Sequence, residues 1–303
     1  MAAEAARDAQ WAFEAYEKVH HRLPEADFPQ TSAPAAHLEE LAEHFDVFLL
    51  DAFGVLNIGE EAIPGVPERI AALQAAGRRI MVVSNAAGYP RRVLMERYAR
   101  LGYDIAPENI LCSREVLLDE LSRRPHRRRG LMAPRRHGME ELEHLDAVFL
   151  DEDPSAYDEV EEFLLFGSDE WTQEHQALLE ASLRRDPRPV LVGNPDIVAP
   201  REGGLSREPG HFAHRLADAT GVAPEFFGKP FPDIFRMALA RLSPAPGARV
   251  VMVGDTLQTD ILGGRAAGLA TALISGYGAL AAIDHEAAIR RSGIVPDFIL
   301  PRP

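Results

Sequence analysis

Short apolar runs alternate with amphipathic stretches along the chain from residue 46 onwards. The runs "DVFLL" (46–50) and "RRIMVVSN" (78–85) have the length of strands. The stretches "GVPERIAALQAAG" (65–77) and "RRVLMERYARLG" (91–102) place apolar residues at helical spacing. The alternation returns late in the chain, in "FPDIFRMALARL", "RVVMVGD" and "ATALISG". Apolar strands that alternate with helices are typical of a parallel sheet covered on both faces, so the pattern predicts an α/β fold.

The middle of the chain has strands and helices of its own. They are predicted in "DAVFLD" (146–151), "EFLLFG" (162–167), "TQEHQALLEASLRRD" (172–186) and "RPVLVGNPD" (188–196). This segment is long enough to be a domain inserted between two halves of one sheet. We therefore predict a core domain from residues 41–88 and 225–303, with an inserted domain over residues 89–224.

The first forty residues follow a different pattern. Residues 5–20 are predicted to form a helix with Trp11, Ala15 and Val19 on one apolar stripe, and three prolines interrupt the pattern that follows. We interpret residues 1–40 as an N-terminal helical extension used for packing or for self-association as a homodimer. No part in the chemistry is expected of it.

Composition narrows the classes of partner. Asp and Glu total 47 against 32 for Lys and Arg, which gives a formal net charge of -15. This excess repels nucleic acid and anionic membranes, so neither is expected as a partner. The single cysteine, Cys112, excludes an intrachain disulfide framework, and the first residues show no secretory signal. A cytoplasmic protein without membrane spans is expected.

Four polar clusters follow predicted strands: "LLDAFGVL", "VVSNAAG", "FFGKPFPDIF" and "VGDTLQTDI". Taken singly, each is equally typical of a helix cap or a turn. Together they bring two carboxylates (Asp51, Asp255), a hydroxyl (Ser84) and a cation (Lys229) to the edge where parallel strands end. Phosphoryl transfer requires such a set: a nucleophile, hard oxygen ligands for a divalent metal, and positive donors around the phosphoryl group.

The four clusters, in this order, resemble the haloacid dehalogenase superfamily. The long insert, the loop "VGNPDIVAP" (192–200) and the late stretch "GDTLQTDILGGRAAGLATALISG" (254–276) are similar to its class IIA members, the NagD-like phosphatases. The resemblance covers residues 45–300. It implies a Rossmann-like parallel-sheet core with a large inserted α/β cap of the C2 type.

Catalytic roles follow from this resemblance, position by position. Asp51 would be the nucleophile that forms an aspartyl-phosphate. Ser84 would donate a hydrogen bond to the transferring phosphoryl group, and Asn85 would shape that loop. Lys229 would neutralise charge on both nucleophile and phosphate. These four residues are the predicted catalytic and phosphate-binding residues of the core.

The resemblance also implies a Mg²⁺ site. Asp51 and Asp255 would bind the ion through carboxylate oxygens, and Phe53 would contribute its backbone carbonyl. Asp260 would orient either the ion's surroundings or Lys229. Mg²⁺ is therefore the predicted cofactor.

Phe53 departs from the family pattern. Phosphatases of this superfamily usually have a second aspartate at this position, which protonates the leaving oxygen and later activates water. General acid–base catalysis contributes about 10²–10⁴ in rate, so alkyl phosphates are expected to react slowly unless another acid takes over. Candidates in the insert are residues 150–159, Asp196, His211 and His214, although each is more typical of a structural role.

Three functions are compatible with an aromatic residue at position 53. A phosphohydrolase could act on a leaving group that needs little protonation, or use an acid from the cap. The superfamily's dehalogenases have an aromatic residue at this position, but they are metal-free and carry a small helical cap. A phosphometabolite-binding protein with little turnover is the third. Asp255 and Asp260 have little purpose without a metal, which favours the phosphohydrolase.

The cap is expected to set substrate choice. The resemblance places its specificity loop at residues 193–216, where Asn194 and Asp196 would contact hydroxyls or amides of the substrate. A cap of this size excludes whole proteins from the site. The expected substrate is a small phosphorylated metabolite.

Overall fold

The computed structural model describes residues 2–201 and 203–303. The helices are α1 Ala2–Val19, α2 Leu38–Leu41, α3 Val66–Ala75, α4 Arg91–Arg100, α5 Ser113–Leu121, α6 Pro154–Asp158, α7 Gln173–Arg185, α8 Pro209–Thr220, α9 Pro232–Leu242, α10 Leu262–Ala266 and α11 His285–Ser292. The strands are β1 Ala33–Pro34, β2 Val47–Leu50, β3 Asn57–Ile58, β4 Glu61–Ala62, β5 Arg79–Ser84, β6 Ile110–Cys112, β7 Arg129–Met132, β8 Ala147–Phe149, β9 Glu162–Leu165, β10 Val190–Val192, β11 Val198–Arg201, β12 Gly204–Arg207, β13 Glu225–Phe226, β14 Val250–Gly254, β15 Ala270–Ile274 and β16 Phe298–Leu300. Within the two described ranges, no helix combines the length and the apolar character that a membrane span requires.

A seven-stranded parallel sheet forms the core, in the order β1-β16-β15-β14-β2-β5-β6. Strand β2 lies in its interior between β14 and β5, and all four of its residues are buried. Both faces of this strand are covered, which explains its unbroken apolar sequence. The α/β prediction is confirmed.

A second parallel sheet, with the order β13-β10-β9-β7-β8, forms the inserted cap. The antiparallel pair β11–β12 lies within the predicted specificity loop, whose last residues belong to α8. The strands predicted in the middle of the chain are therefore present. They form a sheet separate from that of the core.

The predicted domain boundaries need correction. Strand β6 pairs with β5 in the core sheet, so the insert begins later than residue 89. Strand β13 pairs with β10, so the cap sheet extends past residue 224. Strand β1 pairs with β16, so the N-terminal segment also contributes to the core sheet. The predicted boundaries coincide with changes in the sequence pattern, whereas the sheets are set by long-range pairing that the local pattern does not contain.

The N-terminal helix α1 is present, but the predicted stripe is only partly buried. Val19 is buried as expected, whereas Trp11 is 37% exposed, and the buried face also carries Phe13 and Tyr16. The buried face places the Phe13 and Tyr16 rings beside the small residues Ala9 and Ala12. This face contacts residues from both domains: Ile197 and Val198 of the cap, and Leu257, Ile261, Leu262, Leu273, Ala279 and Leu280 of the core.

Candidate active site

Three predicted site residues lie side by side at one edge of the core sheet. Asp51 follows β2, Ser84 ends β5 and Asp255 follows β14, and these three strands are neighbours in the order β14-β2-β5. Because the strands are parallel, their carboxyl ends meet at the same edge. The sheet therefore brings together residues that are 204 positions apart in sequence, from 51 to 255.

Lys229 lies between two carboxylates and is almost completely buried. Its Nζ is 2.6 Å from Asp51 Oδ1 and 2.8 Å from Asp260 Oδ1. Burial on its own lowers the pKa of Lys229, but the charges of Asp260 and Asp51 outweigh it and hold the pKa above its usual range. The lysine is therefore a fixed cation beside the carboxylate of Asp51.

Asp51, Asp255 and Asp260 form a carboxylate cluster. One oxygen from each lies within 4.8 Å of the others. Burial raises the pKa of Asp51 to about 6, with Lys229 opposing the shift and Asp260 adding to it. Burial, followed by the charges of Asp260 and Asp51, raises the pKa of Asp255 well above its usual range. Carboxylates held so close and so far from water are typical of a divalent metal site.

The turn after β14 fixes two of these carboxylates. The backbone N–H of Thr256 donates to Asp260 Oδ2 at 3.1 Å, and the Thr256 hydroxyl donates to Asp255 Oδ1 at 3.0 Å. The other oxygen of Asp255 accepts a hydrogen bond from Ala279 N at 2.7 Å. Gly278, with φ at +89°, packs directly on this carboxylate, and a Cβ there would lie 1.8 Å from Asp255 Oδ2. Only glycine fits.

Asn85 connects the core to the cap through its side chain. Its Oδ1 accepts from Lys229 N at 2.8 Å, and its Nδ2 donates to Lys229 O at 2.9 Å and to Asp196 Oδ1 at 2.8 Å. Next to it, Ser84 Oγ accepts from Ala86 N at 3.2 Å, which leaves its hydroxyl proton for another acceptor. The Ser84–Asn85 loop therefore holds the lysine backbone and a cap carboxylate together.

A cavity opens over this edge and is enclosed by the core, the cap and helix α1. Predicted site residues that line it are Asp51, Phe53, Ser84, Asn85, Asn194, Asp196 and Asp255. Residues that the sequence did not single out also line it: Tyr16, Tyr89, Asp169, Arg201 and Glu208. Arg201 and Glu208 fall within the predicted specificity loop, residues 193–216, whereas no local motif marks Tyr16, Tyr89 or Asp169.

The Phe53 side chain lies among arginines. The guanidinium carbon of Arg201 is 4.9 Å from the centre of the Phe53 ring, and that of Arg97 is 5.2 Å from it. Arg201 also pairs with Glu208 at 2.9 Å. The Phe53 ring is thus an aromatic surface next to two guanidinium groups.

Asn194 is engaged within its own loop. Its Nδ2 donates to Glu208 Oε2 at 3.1 Å, and its Oδ1 accepts from Asp196 N at 2.9 Å. Although Asn194 lines the cavity, both ends of its amide already have partners. The geometry assigns it to bracing the loop that presents Asp196.

Most of the candidate replacement acids lie away from the cavity. Burial lowers the pKa of His211 and of His214 to about 4; His211 packs against the Trp11 ring and His214 stacks on Phe226. Neither histidine lines the cavity, and neither does any of residues 150–159. Asp196 does line it. Burial raises the pKa of Asp196 to about 8, although Lys229 opposes the shift.

Comparison with known proteins agrees with this geometry. A model of the haloacid dehalogenase-like hydrolases matches residues 48–147, and a HAD-hydrolase-like model matches residues 226–300. Human chronophin is 32% identical over 262 residues, covering 82% of this chain and 88% of that protein. Dihydroxyacetone phosphatase of Corynebacterium glutamicum is 28% identical over 254 residues, covering 84% and 87%. The structure of p-nitrophenyl phosphatase from Archaeoglobus fulgidus matches with a TM-score of 0.68 at 26% identity, covering 85% and 96%.

An α/β core with an inserted cap, and an aspartate, a serine, a lysine and further aspartates at one sheet edge, define a hydrolase of the haloacid dehalogenase type. The chain belongs to the haloacid dehalogenase-like hydrolases. Within this superfamily it is a NagD-like member of class IIA, as the sequence predicts.

Proposed function

We propose that this protein is a Mg²⁺-dependent phosphatase that hydrolyses a small phosphorylated metabolite through an aspartyl-phosphate at Asp51. The observation that carries the proposal is the buried Lys229 ammonium, 2.6 Å from Asp51 Oδ1 and 2.8 Å from Asp260 Oδ1. A carboxylate attacks another anion only where positive charge offsets their repulsion. The relatives, among them a dihydroxyacetone phosphatase and a p-nitrophenyl phosphatase, support the same reaction class.

The residues at the sheet edge fit a magnesium ion by the chemistry of their donors. Mg²⁺ prefers carboxylate and carbonyl oxygens, and the three clustered carboxylates repel one another unless a cation offsets their charge. We assign Asp51, Asp255 and the backbone carbonyl of Phe53 as its ligands, with Asp260 holding Lys229. When bound, the ion withdraws charge from the phosphoryl oxygens.

Two displacements at phosphorus complete the reaction. In the first, a carboxylate oxygen of Asp51 attacks phosphorus, and the bond from phosphorus to the leaving oxygen breaks. Lys229 offsets the negative charge of both reactants, and the Ser84 hydroxyl donates a hydrogen bond to a phosphoryl oxygen. In the second, water cleaves the aspartyl-phosphate, which releases inorganic phosphate and restores the Asp51 carboxylate.

The leaving group receives no proton from position 53, since that residue is a phenylalanine. Among the candidate acids in the cap, Asp196 is the one in the cavity, and its burial raises its pKa and so favours the protonated form. We assign Asp196 as the residue that replaces the acid for substrates that need one. Aryl and acyl phosphates, whose leaving groups are stable as anions, are expected to react faster than alkyl phosphates.

The expected size of the substrate is argued from the enclosure of the cavity. The cap loop, the core edge and α1 together surround the cavity, which favours a metabolite over a folded protein.

The formal net charge of -15 disfavours nucleic acid and anionic lipid as partners. A cytoplasmic setting is consistent with this and with the buried free thiol of Cys112.

The direct test is phosphate release from p-nitrophenyl phosphate and from a simple alkyl phosphate, with Mg²⁺ and with EDTA. We expect Mg²⁺-dependent hydrolysis, with the aryl ester at least about tenfold faster because it needs less acid assistance. Equal rates on both esters would show that another group protonates the leaving oxygen fully and that Phe53 does not slow the hydrolysis of alkyl phosphates. Absence of turnover on either ester would overturn the proposal.

Two other functions are separated by parallel assays. Halide release from haloacids in EDTA would identify a metal-free dehalogenase. A large rise in Tm with a phosphorylated metabolite, without phosphate release, would identify a binding protein, since a ligand stabilises the folded state by mass action. The carboxylate cluster argues against the dehalogenase, because a metal-free enzyme gains nothing from three mutually repelling carboxylates.

A further inference from the structure

Helix α1 lies outside both segments matched by the family models, yet it forms part of the active-site wall. Tyr16 is 3% exposed and lines the cavity together with Asp51, Asp196 and Asp255. Its hydroxyl oxygen accepts a hydrogen bond from the backbone N–H of Ile197 at 3.1 Å. The N-terminal extension therefore contacts the cap loop at the residue after Asp196, inside the site.

This contact is the first of a series of hydrogen bonds that leads to the Asp51 carboxylate. Ile197 follows Asp196, whose Oδ1 accepts from Asn85 Nδ2 at 2.8 Å. Asn85 in turn holds the backbone N–H and carbonyl of Lys229, and Lys229 Nζ lies 2.6 Å from Asp51 Oδ1. A displacement of Ile197 is thus coupled, through fixed contacts, to the residues on which the chemistry depends.

The same helix is tied to both domains at other points. Gln258, in the turn between Asp255 and Asp260, donates to Glu17 Oε1 at 3.1 Å. Arg22, just after α1, pairs with Asp218 of cap helix α8 at 2.5 Å. Because α1 is held by the metal-side turn and by the cap at once, Tyr16 presents its hydroxyl to the cap loop from a rigid support.

We propose that Tyr16 is a positioning residue of the active site: its hydroxyl fixes the Asn194–Ile197 loop and so sets the placement of Asp196 over the reaction centre. This inference goes beyond the proposed function, because it assigns to the N-terminal extension a part in substrate binding. Loss of the hydroxyl leaves the buried N–H of Ile197 without an acceptor, which favours conformations in which the loop moves away. The loop then contacts substrate less often, and KM rises.

Tyr16→Phe tests this, with Tyr103→Phe as the matched control. Tyr103 is 4% exposed, and its hydroxyl also bonds to the backbone, donating to Leu56 O at 2.6 Å, away from the cavity. Both variants lose one buried tyrosine hydroxyl and keep the ring. In Tyr16→Phe we expect amide hydrogen exchange at residues 193–201 to accelerate about tenfold, the effect of one lost buried hydrogen bond.

Kinetics give the second readout. KM for p-nitrophenyl phosphate is expected to rise about tenfold in Tyr16→Phe with a smaller change in kcat, while Tyr103→Phe keeps the wild-type KM. If Tm falls by a similar amount in the two variants while KM rises only in Tyr16→Phe, the rise in KM is due to the displaced Asn194–Ile197 loop and not to a loss of overall stability. Equal KM values in both variants, or unchanged exchange at residues 193–201 in Tyr16→Phe, would overturn the proposal.

Hydrogen exchange tests whether Tyr16 holds the cap loop, and it does so independently of catalysis. If the wild-type protein hydrolyses no phosphate ester, the proposed function fails, and exchange at residues 193–201 still tests the role of Tyr16. If Tyr16→Phe does not fold, Arg22→Gln loosens the helix from the cap without altering the cavity lining. Faster exchange at residues 193–201 in Arg22→Gln would then support the proposal, and unchanged exchange would overturn it.

Discussion

The guanidinium carbon of Arg201 lies 4.9 Å from the centre of the Phe53 ring, two residues after Asp51. A guanidinium keeps its protons throughout the physiological pH range, so it stabilises a neighbouring anion without acting as an acid. The aromatic ring supports this cation, which is also paired with Glu208 at 2.9 Å, at the edge of the site. This arrangement suits a leaving group that departs as an anion.

Replacing this ring with a carboxyl group is expected to broaden the range of substrates. In Phe53→Asp, an acid stands two residues after Asp51, and hydrolysis of an alkyl phosphate should rise about tenfold. The gain stays below the full contribution of an acid because Arg201 and Arg97 favour the ionised form of the new carboxyl group. Hydrolysis of p-nitrophenyl phosphate should change little. Phosphate release from both esters gives the ratio of the alkyl phosphate rate to the p-nitrophenyl phosphate rate in each variant.

Phe53→Asn is the control for this change. It removes the same ring and has nearly the same shape as aspartate, but it has no proton to give. An equal gain in alkyl phosphate hydrolysis in Phe53→Asn would mean that the ring obstructs the site sterically, and the argument from proton transfer would be wrong.

Asp51→Asn is expected to abolish turnover while the fold remains. The amide is a poor nucleophile, and the loss should be about a thousandfold or more in kcat. Lys229 keeps Asp260 as a partner at 2.8 Å, so no buried charge is left without a counterion, and Tm should stay within a few degrees of wild type. Phosphate release and thermal unfolding measure the two effects.

Asp46→Asn supplies the comparison, because Asp46 stands at the opposite end of strand β2. Its carboxylate accepts from Arg249 N at 2.9 Å, far from the catalytic edge. This variant should keep wild-type kinetics. Comparable losses of activity in both variants would indicate that damage to the strand, and not loss of a nucleophile, explains the result.

Gly278 offers a test of the metal site that leaves every predicted ligand in place. In Gly278→Ala the new Cβ would lie 1.8 Å from Asp255 Oδ2, so the carboxylate must move and lose its bond to Ala279 N. Displacing a ligand from its hydrogen-bonded position typically costs about 10–100-fold in metal affinity. We expect the Mg²⁺ concentration for half-maximal activity to rise by that factor.

Gly221→Ala separates this clash from backbone strain. Gly221 has φ at +76°, close to the +89° of Gly278, but a Cβ there meets no atom within 4 Å. Both variants pay about 1–2 kcal/mol for a left-handed alanine. The prediction fails if Gly221→Ala weakens the Mg²⁺ response as much as Gly278→Ala does.

The sequence predicts the core of the site well because local pattern and sheet geometry suffice. Asp51, Ser84 and Asp255 each follow an apolar strand, and parallel strands bring their ends together wherever the intervening chain runs. Lys229 is placed at this edge by the same strand-end pattern, but its role beside the nucleophile comes from the family resemblance. What the structure adds for these residues is distance: the lysine lies within hydrogen-bonding reach of two carboxylates.

The surroundings of the site could not be predicted in the same way. Tyr16 reaches the cavity from a helix that packs between two domains, and Arg201 reaches the Phe53 ring from the hairpin β11–β12. Such contacts depend on how the cap and α1 sit on the core, and nothing in the local sequence encodes that. The same limit explains the misplaced boundary at residue 89, because the pairing of β6 with β5 is a long-range event.

Asp196 makes the stability of the metal-free protein depend on pH. Its pKa is raised to about 8, chiefly by burial, whereas an unfolded aspartate has a pKa of about 3.9. Between these values the folded state holds a proton that the unfolded state has lost, so the contribution of this group to stability falls as pH rises from about 4 to about 8. Asp196→Asn removes this dependence and can still accept the bond from Asn85. We therefore expect Tm of Asp196→Asn minus Tm of wild type, in EDTA, to increase from pH 5 to pH 8.

The comparison that isolates this effect is Asp104→Asn, which neutralises an exposed carboxylate outside the cavity. Its Tm difference from wild type should be nearly the same at pH 5 and pH 8. If the Tm difference between Asp196→Asn and wild type is also the same at pH 5 and pH 8, the Asp196 carboxyl group of the wild type is ionised throughout this range. Its assignment as the proton donor would then be wrong. A rising difference, joined by a selective loss of alkyl phosphate hydrolysis at neutral pH, would establish that the cap supplies the proton that Phe53 cannot.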